Sequence, residues 1–351
     1  MSVLLRILRD PDALPRLRTQ DWNLLQRESR SQQLCARLSW VIEARGQAKD
    51  CPSDVWTDLT AQRFFAEHKQ AQVRLELRKL HKALGPRGIP ILLLKGAAYA
   101  QAGLRVARGR DFADLDIMVP RESLEAAETA LERGGWISET KNRYDQRYYR
   151  RWMHELPPMH HRTRSFEVDL HHALLPLTGR LRPDPALLWA ASRRLPDSPF
   201  RVLCDEDMFL HGAAQLFQDA EIAGELGALL DLHQLLEEFG PRDGFWDRLL
   251  MRAPVLQLGR PLYYALHFTR RLLDTPVPAE VLRAAQAHAP GYWMRRSMDA
   301  LVPRVLEPRY PTRRPARMAA WALYLRSHWL RMPPGLLARH LLRKALRGGK
   351  G

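Results

Sequence analysis

Two short apolar runs separated by a basic connection constrain this chain more than any other feature. The first, Leu92-Leu93-Leu94, ends at Lys95-Gly96-Ala97-Ala98, and the second, Leu115-Asp116-Ile117-Met118-Val119, is entered through Arg110-Asp111-Phe112-Ala113-Asp114. Runs of this length and composition suit buried strands. Within the second, Asp114 and Asp116 stand two residues apart, so in a strand both carboxylates point to one face. Two like charges that close are costly unless a cation holds them. An isolated Asp-x-Asp most often lies in a solvated turn. Here Leu115, Ile117, Met118 and Val119 supply buried surroundings, where an unpaired carboxylate is expensive.

A third acid follows in Ser165-Phe166-Glu167-Val168-Asp169-Leu170-His171, where Phe166, Val168 and Leu170 alternate with Glu167, Asp169 and His171. A period of two again reads as a strand with one polar face. Side by side, the two strands would gather Asp114, Asp116 and Asp169 around one or two divalent ions, magnesium or manganese. Metal-bound carboxylates of this kind are the working parts of phosphoryl and nucleotidyl transfer. His171 shares the face of Asp169 and is expected to support the acids rather than to bind the ion. The adjacent pairs His160-His161 and His171-His172 cannot chelate through both rings along an extended strand.

The order of glycine-ended strand, helix, Asp-x-Asp strand, helix and later acidic strand resembles the DNA polymerase beta type of nucleotidyltransferase. More closely, the segments LLLKGAAYAQAGL, ARGRDFADLDIMVP, VDLHHALLP and EDMFLHGAAQLF, within residues 85 to 240, resemble an uncharacterised bacterial nucleotidyltransferase family often associated with exopolysaccharide and exosortase gene clusters. The resemblance implies an α+β chain, a small mixed sheet flanked by helices, with metal-binding Asp114 and Asp116 and a third acid at Asp169. It also implies a nucleoside triphosphate as donor and supplies no acceptor. His211 and Asp231 are similar to polar positions of that family, and they either contact substrate or tie two helices together by a hydrogen bond. The wider superfamily places serine after the glycine of its phosphate turn, whereas Ala97 follows Gly96 here. Phosphate is therefore expected on backbone amides at the start of the following helix, assisted by Lys95 and Arg110.

The remaining organisation is helical. Residues 1–84 read as an N-terminal helical region closed by Gly85-Pro86-Arg87-Gly88, residues 85–182 as the α/β core and residues 183–308 as a C-terminal helical domain. Within the core, a strand is expected over Ile89 to Leu94. Tyr144, Tyr148 and Tyr149 with Arg147, Arg150 and Arg151 read either as a half-buried hairpin or loop or as a surface that stacks on a base or sugar. Later helices are expected from Met208 and over Gly224 to Phe239.

The formal charge of +16 suggests nucleic acid at first sight, but eleven basic residues and no acidic one follow Glu307, which leaves +5 for everything before. A nucleic-acid role is therefore not expected. Residues 309–351 form a basic tail in which Leu337, Ala338, Leu341, Leu342 and Ala345 recur at helical spacing opposite Arg339, His340, Arg343, Lys344 and Arg347. Such a helix either lies on an anionic membrane or docks on its own domain. Cys35, Cys51 and Cys204 are few and scattered, as in a cytosolic protein with reduced thiols. No apolar run of about eighteen residues suggests a membrane span, and Arg6, Arg9 and Asp10 interrupt what would be a signal-peptide core. The expected location is cytoplasmic, with contact at the inner face of the membrane if the tail binds lipid. A catalytically silent scaffold of a membrane-associated saccharide assembly is the alternative to a magnesium-dependent transferase.

Overall fold

The structure is a computed structural model that describes residues 1–112, 114–140, 142–218, 222–308 and 314–331. The amphipathic segment expected beyond Pro333 lies outside them. Four helices open the chain: α1 (Val3–Arg9), α2 (Thr19–Ser31), α3 (Cys35–Ala44) and α4 (Ser53–Leu84). In α4, Val55, Leu59, Ala66, Val73, Leu77, Leu80 and Leu84 are buried at helical spacing, so one stripe of a 32-residue helix faces the core. Gly85 caps it, and Gly88, at a φ of 68° that favours glycine, turns the chain toward the sheet.

The sheet segment runs β1 (Leu92–Leu93), α5 (Lys95–Gln101), β2 (Asp114–Met118), α6 (Leu124–Arg133), β3 (Trp136–Ser138), α7 (Arg143–Trp152), β4 (Met159–His161), β5 (Glu167–His171), α8 (Pro185–Ala191), β6 (Arg193–Arg194) and β7 (Arg201–Val202). Seven strands line up in the order β3-β4-β5-β2-β1-β7-β6. The sheet is mixed: β2 lies parallel to β5 and antiparallel to β1, which in turn lies parallel to β7. Its centre is apolar, with Leu92, Leu93, Leu115, Ile117, Leu170 and Val202 all fully buried. The strand expected over Ile89 to Leu94 pairs as a ladder only at Leu92–Leu93, because α5 begins at Lys95. Hydrogen bonds continue on either side of it, from Arg201 N–H to Ile91 C=O and from Leu94 N–H to Asp116 C=O.

One local expectation fails. The tyrosine- and arginine-rich stretch is neither hairpin nor loop but α7. Arg150 pairs with Glu128 of α6 at 2.6 Å, and Tyr148 packs edge-on against Trp152 with ring centroids 5.4 Å apart. Its apolar face is built from aromatics, which favour strands by propensity, so the sequence pattern pointed the wrong way.

After the sheet segment come α9 (Asp205–Gln218), α10 (Leu226–Phe239), α11 (Phe245–Val255), α12 (Gly259–Leu273), α13 (Ala279–Ala285), α14 (Tyr292–Leu306) and α15 (Arg314–Arg331). α9 starts at Asp205, three residues before the expected Met208. Its first-turn acids are matched by cations from α11: Arg248 meets Glu206 at 2.6 Å and Arg252 meets Asp207 at 2.8 Å. α10 starts at Leu226, two residues after the expected Gly224. α15, the described part of the basic tail, is a docked helix with Ala319, Leu323 and Ser327 buried. Arg326 donates to Phe217 C=O at 2.9 Å, and Arg180 N–H donates to Leu330 C=O at 3.2 Å. No described helix is long and apolar enough to cross a membrane.

An arginine joins the N-terminal helices to the rest. Arg37 of α3, 3% exposed, donates to Val106 C=O at 3.0 Å and Gly227 C=O at 3.3 Å and pairs with Asp231 of α10. Asp231 also takes Arg110 at 3.1 Å. The loop that carries Arg110 passes so close to α3 that a Cβ on Gly109, whose φ is 66°, would stand 2.7 Å from the Ala36 and Arg37 backbone. Removing one member of a buried pair strands the other. Arg37→Ala is expected to lower the unfolding free energy by about 3–5 kcal/mol in urea titrations, and a loss below about 1 kcal/mol would assign the pair the weight of a surface contact. Gly109→Ala is expected to cost about 1–3 kcal/mol by the same measurement, as an overpacked site does.

Candidate active site

β2 carries Asp114 and Asp116, β5 carries Asp169 and His171, and the parallel register sets Asp116 directly beside Asp169. Residues two apart along a strand share a face, so all four side chains rise from one side of the β2–β5 pair. The chain then has to leave β1 and enter a helix at once. It does so at Lys95, whose φ of 44° is left-handed for a residue with a Cβ. That conformation costs on the order of 1 kcal/mol and is offset by what the side chain reaches. Lys95 Nζ lies 2.6 Å from Asp116 Oδ1, and His171 Nε2 lies 3.1 Å from the same oxygen. Asp116 and His171 are 4% and 1% exposed.

The two acids differ in their proton affinity. Burial alone would raise the Asp116 carboxyl, but the Lys95 ammonium and the His171 contact overrule it and hold it well below the usual carboxylate range. Asp169 goes the other way. Burial, reinforced by Asp116 and Glu155, pushes it up to about 7, and its Oδ1 is buried without a hydrogen-bond partner. Asp114 is raised by burial and by Asp116. Lys95 loses charge stability through burial and regains more from Asp116, so its affinity ends above normal; His171 behaves the same way for the same reason.

The other anticipated residues surround this centre unequally. Gly96 has no room for a side chain, since a Cβ there would approach the Phe112 ring to 2.6 Å. Arg110 stacks over Tyr99 and Phe112, with its guanidinium 5.9 and 5.7 Å from the ring centroids, while Asp231 orients it. His211 of α9 is 3% exposed; burial and then the Lys95 charge push it down to about 3, which keeps the imidazole neutral. Asp231 is engaged by Arg37 and Arg110, two cations from other elements, in place of the tie to His211 considered from sequence. Three residues here escaped the sequence reading. Arg37 looked like one more helical cation. His154 and Glu155 follow α7 as an unremarked His-Glu pair, yet Glu155 Oε2 lies 3.4 Å from His171 Nε2 and 3.5 Å from His154 Nε2.

Side-chain atoms of Asp116, Asp169 and His171 lie within 4.8 Å of one another, close enough to share one ion, as do those of His154, Glu155 and His171. Asp114, the third aspartate expected from sequence, belongs to neither set; its charge helps to raise Asp169. A cavity of about 170 Å³ is lined by Lys95, His154, Glu155, Asp169, Gln215 and Gln218 among others. A divalent cation fits this donor set: an orphaned carboxylate oxygen and carboxylates that raise one another are what such an ion relieves.

Comparison with known proteins agrees with this picture at the level of the family. Residues 18–274 match a family described as uncharacterised nucleotidyltransferase. No curated protein and no solved structure matches the chain. The match spans α2 to α4, the whole sheet and the helices through α12, and on that extent the chain belongs to this uncharacterised nucleotidyltransferase family.

Proposed function

We propose that the chain transfers a nucleoside monophosphate from a nucleoside triphosphate to an acceptor hydroxyl, with magnesium or manganese as cofactor. The observation that carries this reading is the in-register pair Asp116 and Asp169 on adjacent parallel strands, with the unpartnered Asp169 Oδ1 in a site whose cavity Lys95 shares. Asp116 and Asp169 would hold the ion, with Asp114 adding negative charge. Bound there, it would neutralise phosphate charge and polarise the phosphoryl group.

The protein's own groups do the rest. Lys95 and Arg110 neutralise phosphate oxygens, and the backbone amides at the start of α5 receive them. Asp169 takes the proton from the acceptor hydroxyl as that oxygen attacks the α-phosphorus in line and pyrophosphate departs. His171 orients Asp116, and His211, kept neutral by burial and the Lys95 charge, adds no positive charge of its own. Positioning and charge neutralisation supply most of the acceleration. In this reading residues 85–182 are the transferase core, residues 183–308 carry the acceptor wall, and residues 309–351 bring the chain to the inner face of an anionic membrane. The acceptor would then be a saccharide of exopolysaccharide synthesis. The Lys95–Asp116 pair favours a second reading, a silent nucleotidyltransferase-like scaffold, because the ammonium already occupies a cation's place beside Asp116.

The test is a purified-chain assay with α-labelled nucleoside triphosphates, magnesium and extract of the producing cell, beside isothermal titration of the same nucleotides. Metal-dependent label transfer is expected, and a chain that neither binds nor transfers any nucleotide is the scaffold. Asp169→Asn should abolish transfer while the chain stays folded, since Asp169 has no ion pair to lose. In metal-free buffer the same variant carries a pH signature. A carboxyl raised to about 7 in the folded chain, against 3.8 otherwise, stabilises the fold at low pH and loses that contribution as pH climbs from about 4 through 7. Asp169→Asn is therefore expected to melt above the wild type at pH 8, with the gap closing toward pH 4. A constant gap across that range would remove Asp169's raised affinity.

A further inference from the structure

We propose that His154, Glu155 and His171 form a second metal site, one for a divalent transition ion of the zinc class, beside the acidic pair. The backbone builds it. After α7 the chain bends at His154, whose C=O accepts from His172 N–H at 2.8 Å and from Ala173 N–H at 3.2 Å. Leu156 N–H then donates to Leu170 C=O at 2.9 Å, and Glu155 bridges His171 in antiparallel fashion. Opposed residues of an antiparallel bridge share a face, so Glu155 stands over His171. The bend breaks the alternation that would otherwise send His154 to the far side.

Two of the three separations are those of ligands on one ion, and all three ligand atoms lie within 4.8 Å of one another. His171 Nε2 to Glu155 Oε2 is 3.4 Å and His154 Nε2 to Glu155 Oε2 is 3.5 Å. A tetrahedral ion with bonds of about 2.0–2.1 Å separates its ligands by roughly 3.3–3.4 Å. Two imidazoles and one carboxylate also select the ion. Imidazole nitrogen suits zinc and its neighbours, whereas magnesium takes oxygen almost exclusively. Three protein ligands leave a fourth position for water or substrate, and His154 and Glu155 both line the cavity.

Filling the site has a consequence for Asp116. His171 Nε2 now serves that carboxylate at 3.1 Å; once committed to an ion it no longer does, so the two sites are coupled through one ring. The inference stands apart from nucleotide transfer, because it concerns metal affinity alone and survives if no nucleotide binds.

Cobalt(II) reports this geometry directly, since four-coordinate cobalt absorbs visible light far more strongly than six-coordinate cobalt. The metal-stripped full chain is titrated with Co2+, then challenged with Zn2+ and with excess Mg2+. One equivalent with an intense visible band is expected, displaced by zinc and untouched by magnesium. His154→Ala and the isosteric Glu155→Gln should each lose the band and bind Co2+ at least about 100-fold more weakly, with far-UV circular dichroism unchanged, while Asp114→Asn keeps it. On the unmodified chain, Zn2+ should protect His154 from carbethoxylation by diethyl pyrocarbonate. An unchanged band in His154→Ala, displacement by magnesium, or modification of His154 at the same rate with and without zinc would each overturn the proposal.

Discussion

The parallel pairing of β2 with β5 forces acidic side chains onto a shared face, and the Lys95 ammonium is what makes that arrangement tolerable. Asp116 is almost fully buried; without a counter-charge it would have to bind a proton or unfold its surroundings. Lys95 reaches it from the first residue of α5 by adopting a left-handed backbone angle, and Gly96 behind it leaves space for the Phe112 ring and Arg110. The order of elements around the site follows from this requirement: strand, abrupt turn, helix, and a return strand laid antiparallel to the first.

The second layer of the molecule serves the same centre at one remove. Arg37 and Asp231 come from helices far apart in sequence, and their pairing fixes the loop on which Arg110 rides. A buried ion pair is weak evidence for stability but good evidence for register. Here it sets the register of three elements, α3, α10 and the 105–112 loop, so the N-terminal helices are part of how the site is held in place. The family match, which begins at residue 18 and so includes α2 to α4, is consistent with that dependence.

Much of this was legible in the sequence, where the physics is local. Alternation around Asp169 and the apolar run around Asp116 gave both strands and their shared face, because a period of two is a property of the strand itself. The end of α4 was marked by glycine. What could not be read were partnerships made across the fold. Asp231 carried no sign of whether it would meet His211 or two arginines. Glu155 gave no hint that it would bridge His171, because the segment 154–156 pairs with β5 through a bend rather than through a patterned strand. The aromatics of α7 misled because propensity is weaker than the tertiary contact with α6 that settles the helix.

The cavity beside Asp169 is small. Pockets that enclose a drug-sized ligand usually hold about 300–1,000 Å³, and this one holds about 170 Å³. Part of its wall, Gly179 to Leu181, is clipped to the C-terminal helix, through the Arg180 amide on Leu330 and the Arg180 guanidinium over Trp329 at 5.1 Å. The seating of α15 and the outline of one side of the chamber are thus tied together through a single residue, Arg180.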